Sequence, residues 1–386
     1  MHWLTFFLAA STLLAAKAAV LPRCAQCNVP PQYSGEAQKL ADPTYGPIPG
    51  ASDLYSSYWG IERPFPGNIT DPVFPTENGP PGEDDYIWQN LLSAEWIIFE
   101  FYQQGIERFS DQDFIDAGMP NTTRRRLMEI RNNEAGHLRI FQNQISPTSI
   151  KPGPCRYMFP LDEPLAYLSF LTVIELASMA FLTGLAQLPR SDFAKGAMTA
   201  ISQTETRHEL WALTDLWKTE PFAGPTDTTF PYANQILYST HNLVVPGSCP
   251  PENPEYPHPR QLLPILSATP NTTSLAPGAT ITLHFPESES DSQHQPAFFK
   301  DGKQYYAVFF HGVLNASVPI DTGSGSGSGP ISVTIPPEFE AKGAIIALVA
   351  DEPGAPTNYS VVAGPAVIPM QPAWLGPALV RGGGAV

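Results

Sequence analysis

The sequence predicts an α+β multidomain protein: a four-helix bundle over residues 83–219, followed by an immunoglobulin-like β-sandwich over 264–369. Three observations predict it. Between 83 and 219 proline is rare inside long segments, and four windows, 83–108, 122–145, 162–187 and 191–218, carry apolar residues at helical spacing. From 264 onward the texture changes to short β-rich runs, "ATITLHF", "QYYAVFFHGV", "ISVTI", "AIIALVA" and "YSVVAG", bounded by Gly, Pro and Asn. Between the two lies "PGSCPPENPEYPHPRQLLP", where proline concentrates as it does in a linker.

In chain order, residues 1–18 read as a signal peptide: "MHWLTFFLAASTLLAAKAAVLPR" has an apolar run of about a dozen residues, then the small-residue pattern Ala16-Lys17-Ala18. No later apolar run is expected to reach the ~18 residues of a membrane helix, and "LVRGGGAV" lacks the hydrophobic tail of a lipid-anchor signal. The expected location is secreted, extracellular or cell wall, with no membrane span. Acceptor sequons at Asn68, Asn121, Asn271, Asn315 and Asn358 agree with a eukaryotic secretory route and a glycoprotein. The formal charge of −16 argues against nucleic acid and anionic membrane surfaces as partners. The 4 cysteines, Cys24, Cys27, Cys155 and Cys249, suggest two disulfides in an oxidising compartment. Sequence cannot choose among the pairings; the expectation is that Cys155 and Cys249 tie Cys24 and Cys27 to the bundle. A metal site built on "CAQC" is the less favoured reading.

Residues 19–82, rich in Pro, Gly and Tyr without sustained periodicity, read as a loop-rich arm lying on the bundle. Residues 220–263 read as a Pro-rich linker with a short helix near 231–240, and 370–386 as a flexible tail. Roughly seven short strands in about 100 residues suit an immunoglobulin-like sandwich, although no Cys pair marks an antibody-type domain. "GSGSGSG", 323–329, reads as a loop between two strands.

Each helical window holds a central glutamate among apolar residues. Glu95 is flanked on its own face by Leu91, Leu92, Ile98, Phe99 and Tyr102, and Glu134 by Leu127, Ile130, Leu138 and Phe141. Glu175 lies with Leu168, Leu171, Met179 and Leu182, and Glu205 with Met198, Ile201 and Ala212. Residues three apart share a helix face, so His137 joins Glu134 and His208 joins Glu205. A carboxylate and an imidazole in a core are costly unless something pairs with them. Glu, Glu-x-x-His, Glu, Glu-x-x-His over four helices is the ligand set with which bundles hold two metal ions. Carboxylates can bridge cations, imidazoles suit iron, manganese and zinc, and four carboxylates balance two divalent ions in charge. A single Glu-x-x-His is weak: Glu255 and His258 match it where prolines forbid a helix. Tyr102 and Trp96 lie near the set, but packing explains them better than an electron relay does.

Connection lengths agree with this order. "LPR" makes the third and fourth helices antiparallel neighbours, whereas "SPTSIKPGPCRYMFPL" spans up to about 53 Å when extended, enough to cross a helix of about 37 Å. One long crossover is a ferritin-like trait. Residues 83–219 thus resemble the ferritin-like superfamily. With the signal peptide and the β-sandwich, the chain resembles fungal secreted ferritin-like proteins of the stress-response or late-sexual-development group, related to plant desiccation-related proteins. The resemblance implies a ferritin-like four-helix bundle with a di-iron centre on Glu95, Glu134, His137, Glu175, Glu205 and His208. It implies little about activity.

Two readings follow. In the first, the protein binds two metal ions, iron or else manganese, and acts on O2 or peroxide as a di-iron oxidoreductase; no catalytic residue is singled out. In the second it is a non-enzymatic cell-wall or extracellular scaffold or adhesion protein. Metal content separates them. A hydrolase finds no support, since no Ser-His-Asp pattern stands in a strand-turn-helix context.

Overall fold

The computed structural model describes residues 58–64, 72–159, 161–219, 228–270, 276–285, 299–322 and 329–370. The expected signal peptide, Cys24, Cys27, Asn68, Asn271, nearly all of the "GSGSGSG" loop and the tail after 370 lie outside the described residues.

Four long helices occupy the expected windows: α1 (Asp85–Arg108), α3 (Thr123–Gln144), α4 (Pro164–Leu185) and α5 (Asp192–Trp211), the last continuing into a π-helical turn, Ala212–Leu216. A short helix that the periodicity did not reveal, α2 (Asp111–Asp116), is set by a capping box in which Ser110 and Asp113 satisfy each other's backbone N–H groups. Pro164 begins α4 in the first turn, where its missing N–H costs nothing. Asp85 ties the start of α1 to the end of α3 by accepting from Gly82 N and from Ser146 N, at 2.7 and 2.9 Å. The crossover between α3 and α4 lies along α1, where Trp96 Nε1 donates to Pro152 O at 3.1 Å and Gln89 Nε2 to Ile150 O at 2.7 Å.

Cys155, in this crossover, is bonded to Cys249, not to the arm's cysteines as expected. The crossover runs beside the segment after α6 (Ala233–Ser239): Tyr157 pairs with Val244, and Arg156 O accepts from Val245 N at 2.9 Å. That pairing brings the two cysteines together, a proximity invisible to spacing along the chain.

Among the described residues seven strands follow: β1 (Ser267–Pro270), β2 (Thr280–His284), β3 (Tyr305–His311), β4 (Leu314–Ile320), β5 (Ile331–Thr334), β6 (Ala344–Ala350) and β7 (Val361–Pro369). They form two antiparallel sheets, β1-β2-β5 and β4-β3-β6-β7. This is the strand partition of an immunoglobulin-like sandwich with the extra edge strand on the second sheet. Side chains alternate across a strand, and both faces of β3 and β6 are buried. Ala307, Phe309, Ile345, Ala347 and Val349 enter the core between the sheets. Val308, Phe310, Ile346, Leu348 and Ala350 instead join a core shared with Ala177, Ala180 and Phe181 of α4. That is why "AIIALVA" is apolar without alternation.

The same contact explains α4. No apolar run after the signal peptide was expected to match a membrane helix, yet α4 is long and apolar enough by length and composition, with 89% of its apolar window buried inside the fold. A helix apolar all round needs apolar neighbours all round; α4 has the bundle on one side and the sheet on the other. Residues 228–232 link them: Phe230 N donates to Ala180 O at 3.1 Å, and Thr229 N to Gly312 O at 2.8 Å. A Cβ at Gly184 would come 1.9 Å from the backbone oxygen of Phe230. Gly184→Ala is therefore expected to destabilise the protein by about 1–3 kcal/mol through overpacking against backbone. Urea unfolding measures this, and an unchanged midpoint would mean that α4 does not pack this closely on the segment.

Candidate metal centre

The four central glutamates lie at mid-height in their helices and point inward: Glu134, Glu175 and Glu205 are 0% exposed and Glu95 is 3% exposed. His137 and His208 are buried with them. The six residues fall into two overlapping groups, Glu95, Glu134, His137 and Glu205, and Glu134, Glu175, Glu205 and His208, each with donor atoms within 4.8 Å of one another. Glu134 and Glu205 belong to both groups because they sit three residues before the two histidines on α3 and α5. Glu95 of α1 completes one group and Glu175 of α4 the other.

Each histidine turns Nδ1 toward three carboxylates. His137 Nδ1 lies 2.9 Å from Glu134 Oε2, 3.1 Å from Glu95 Oε1 and 3.2 Å from Glu205 Oε1. His208 Nδ1 lies 3.1 Å from Glu134 Oε1 and 3.4 Å from both Glu175 Oε2 and Glu205 Oε2. Of these contacts, His137 Nδ1 is hydrogen-bonded to Glu95 and Glu134, whereas those of His208 are close without hydrogen-bond alignment. Glu134 Oε1, Glu175 Oε2, both Glu205 oxygens and His208 Nδ1 are buried without a hydrogen-bond partner. Leaving so many polar atoms unsatisfied is costly, and ligand atoms gathered within 4.8 Å of one another with so few mutual hydrogen bonds are what a bound cation needs. The oxygen and imidazole set suits iron, manganese or zinc. The residues fit a metal.

Without metal, protons do the balancing. Burial pushes the Glu95 and Glu175 carboxyls well above the usual range, aided by Glu134 at Glu95 and by Glu205 at Glu175. Burial also acts on Glu134 and Glu205, but the flanking imidazoles outweigh it and hold both below the usual range. Burial disfavours charge on His137 and His208; the surrounding carboxylates, chiefly Glu134 and Glu175 respectively, outweigh it and raise both well above the ordinary imidazole value. Two imidazolium ions then face two carboxylates and two neutral acids.

Outside the six, Tyr102 OH donates to Glu175 Oε1. Its place on the Glu95 face of α1 was legible; its partner across the bundle was not. Metal-ligating groups are oriented by such outer contacts, whose loss typically costs 10–100-fold in affinity. Tyr102→Phe is therefore expected to weaken metal binding by about tenfold or more, read by competition with a chromogenic chelator; unchanged affinity would assign Tyr102 to packing alone. Sequence reading also missed Glu209, beside His208, whose carboxyl is buried and pushed well above its usual range by that burial. Nothing in its local pattern separated it from a surface residue. Trp96, the other aromatic near the set, is committed to the crossover through Pro152.

The Ferritin-like domain family matches this chain over residues 83–216. Protein rds1 of Schizosaccharomyces pombe is 25% identical over 174 residues, 44% of this chain and 41% of the relative, so the match spans about two fifths of that protein's length. Residues 83–216 thus form a ferritin-like domain, and its core holds two groups of buried carboxylates and imidazoles that could bind metal.

Proposed function

We propose that the protein is a secreted dinuclear metal protein, with iron as the first candidate and manganese as the second, and that the centre serves oxidation or peroxide scavenging in stress or development. One observation carries the metal reading: two buried imidazole nitrogens, each facing three carboxylate oxygens at 2.9–3.4 Å, in a cluster with unsatisfied donors. Glu134 and Glu205 would be the shared ligands, with Glu95 and His137 on one side and Glu175 and His208 on the other. A pair of redox-active ions held there would supply electrons to O2 or peroxide. The chain's own part is to exclude water by burial and to hold Glu175 in place through Tyr102.

Secretion is supported by the N-terminal segment, by sequons whose Asn121 and Asn315 are exposed, and by the Cys155–Cys249 disulfide, which suits an oxidising compartment. The test is metal quantification on full-length protein secreted by a eukaryotic host and purified without chelator. About two ions per chain are expected, as for a two-metal site. Protein free of metal after equilibration with Fe(II), Mn(II) and Zn(II) would overturn the reading and leave the scaffold alternative standing.

A further inference from the structure

A cavity of 380 Å³ opens between α3 and α5 on the outer side of the centre. On α3 it is lined by Arg126 and Asn133, and on α5 and its π-helical extension by Thr204, His208, Trp211 and Asp215. These positions follow the helical repeat, so each helix offers one continuous face. His208 alone among the six residues of the centre reaches this cavity. Its Nδ1 is turned to the carboxylates, and its other nitrogen, Nε2, is buried with no hydrogen-bond partner. One turn away, Trp211 Nε1 is also buried and unpartnered. An indole N–H can only donate, and a histidine whose Nδ1 binds a cation must carry its proton on Nε2. Two residues of the lining therefore hold buried donors with no matching acceptor.

The lining also carries charge: the exposed Arg207 and Arg126, with Glu129 and Asp215. Arg126 is engaged with Glu129, while Arg207 Nη2 donates to Thr204 Oγ1 at 3.0 Å and keeps further N–H groups for a ligand. A guanidinium with N–H groups to spare and two donors lacking acceptors together favour oxygen with negative charge. A second cavity of 300 Å³, beside Tyr86, Leu188, Tyr232 and His258, has no residue of the centre in its lining.

We propose that the cavity between α3 and α5 is a binding site for a small carboxylate or similar oxyanion, whose oxygen accepts from His208 Nε2 and Trp211 Nε1 while Arg207 meets its charge. The donor role of Nε2 rests on the metal reading above; that of Trp211 does not. Such a ligand would form the outer hydrogen bond that metal-binding histidines ordinarily possess, so its occupancy would tune the centre through His208 without entering it.

The test is a titration of full-length, zinc-equilibrated protein with sodium acetate, following the indole ¹H–¹⁵N cross-peaks of its 7 tryptophans. Trp211→Phe assigns the relevant peak by removing it. The expected result is a saturable shift of the Trp211 peak with acetate, weakened about tenfold in Arg207→Gln, which is roughly 1.4 kcal/mol, and absent with acetamide. No shift with acetate, bicarbonate or phosphate would mean that the cavity holds only water and would overturn the proposal. An equal response to acetamide would overturn the anion class. Metal content, measured on samples equilibrated with Zn(II), Fe(II) and Mn(II) in turn, reports failure of the metal reading separately: a saturable Trp211 shift in protein that retains none of the three upholds the cavity and sinks only the dinuclear centre.

Discussion

Stripping metal from the full-length protein lowers its melting temperature, and the loss deepens as the pH rises from about 5.5 to about 8.5, the range over which the unfolded chain's acids and imidazoles finish titrating. A ligand that binds only the native state contributes roughly 2.7 kcal/mol per site at a hundredfold excess over Kd, and chelation removes that. The pH dependence comes from protons that stand in for metal. Glu95, Glu175, His137 and His208 all have folded values raised above their unfolded ones. Their contribution is complete below the unfolded values and disappears as the pH climbs through the folded ones. Each proton that the folded core keeps and the unfolded chain has released costs about 1.4 kcal/mol per pH unit. Glu134 and Glu205 act the other way, because their folded values are depressed: they contribute above the ordinary carboxylate range and weaken the fold only in acid. The metal-free protein should therefore be most stable in mildly acidic solution and the metal-loaded protein should be less sensitive to alkali. Thermal melts with and without chelator across this range check it. A chelator effect that shrinks with rising pH would contradict the assignment of these four protons.

The double substitution Glu134→Gln with Glu205→Gln should abolish stoichiometric metal binding, the largest loss expected of any pair of changes in this chain. Both residues belong to both groups of candidate ligands, so neither site survives their removal intact. A neutral amide offers an oxygen of similar reach without the charge that balances a divalent ion. In the metal-free state the change also removes Glu134, the chief carboxylate at His137, and Glu205, one of those at His208, whose largest partner Glu175 remains, so both imidazoles should give up their protons at lower pH and the alkaline loss of stability should shrink. Removing one partner of a buried ion pair commonly costs 3–5 kcal/mol, but here the imidazoles can discard their charge, so a smaller cost is expected. Metal quantification and melts of the variant, with and without chelator, test this. Stoichiometric metal in the variant would show that Glu134 and Glu205 are not the shared ligands.

The six residues of the centre were legible because helical periodicity is local. Glu95, Glu134, Glu175 and Glu205 each sat where the 3.6-residue repeat required an apolar side chain, and His137 and His208 followed three residues on. A polar group at a core position has to be satisfied, and that necessity can be read without coordinates. The strand runs were legible in the same way, from β-branched content and turn residues. Other features depended on chain segments far apart in sequence. The partner of Cys155 was decided by the pairing of Tyr157 with Val244, the full burial of α4 and β6 by the docking of helices on a sheet, and the role of Tyr102 by the position of Glu175 on another helix. The cavity behind His208 likewise needs two helices to exist. The sequence by itself determined which residues must leave water, through periodicities a few residues long; only the tertiary structure decided what each of them meets there, because burial is written along one element whereas a contact is shared between two.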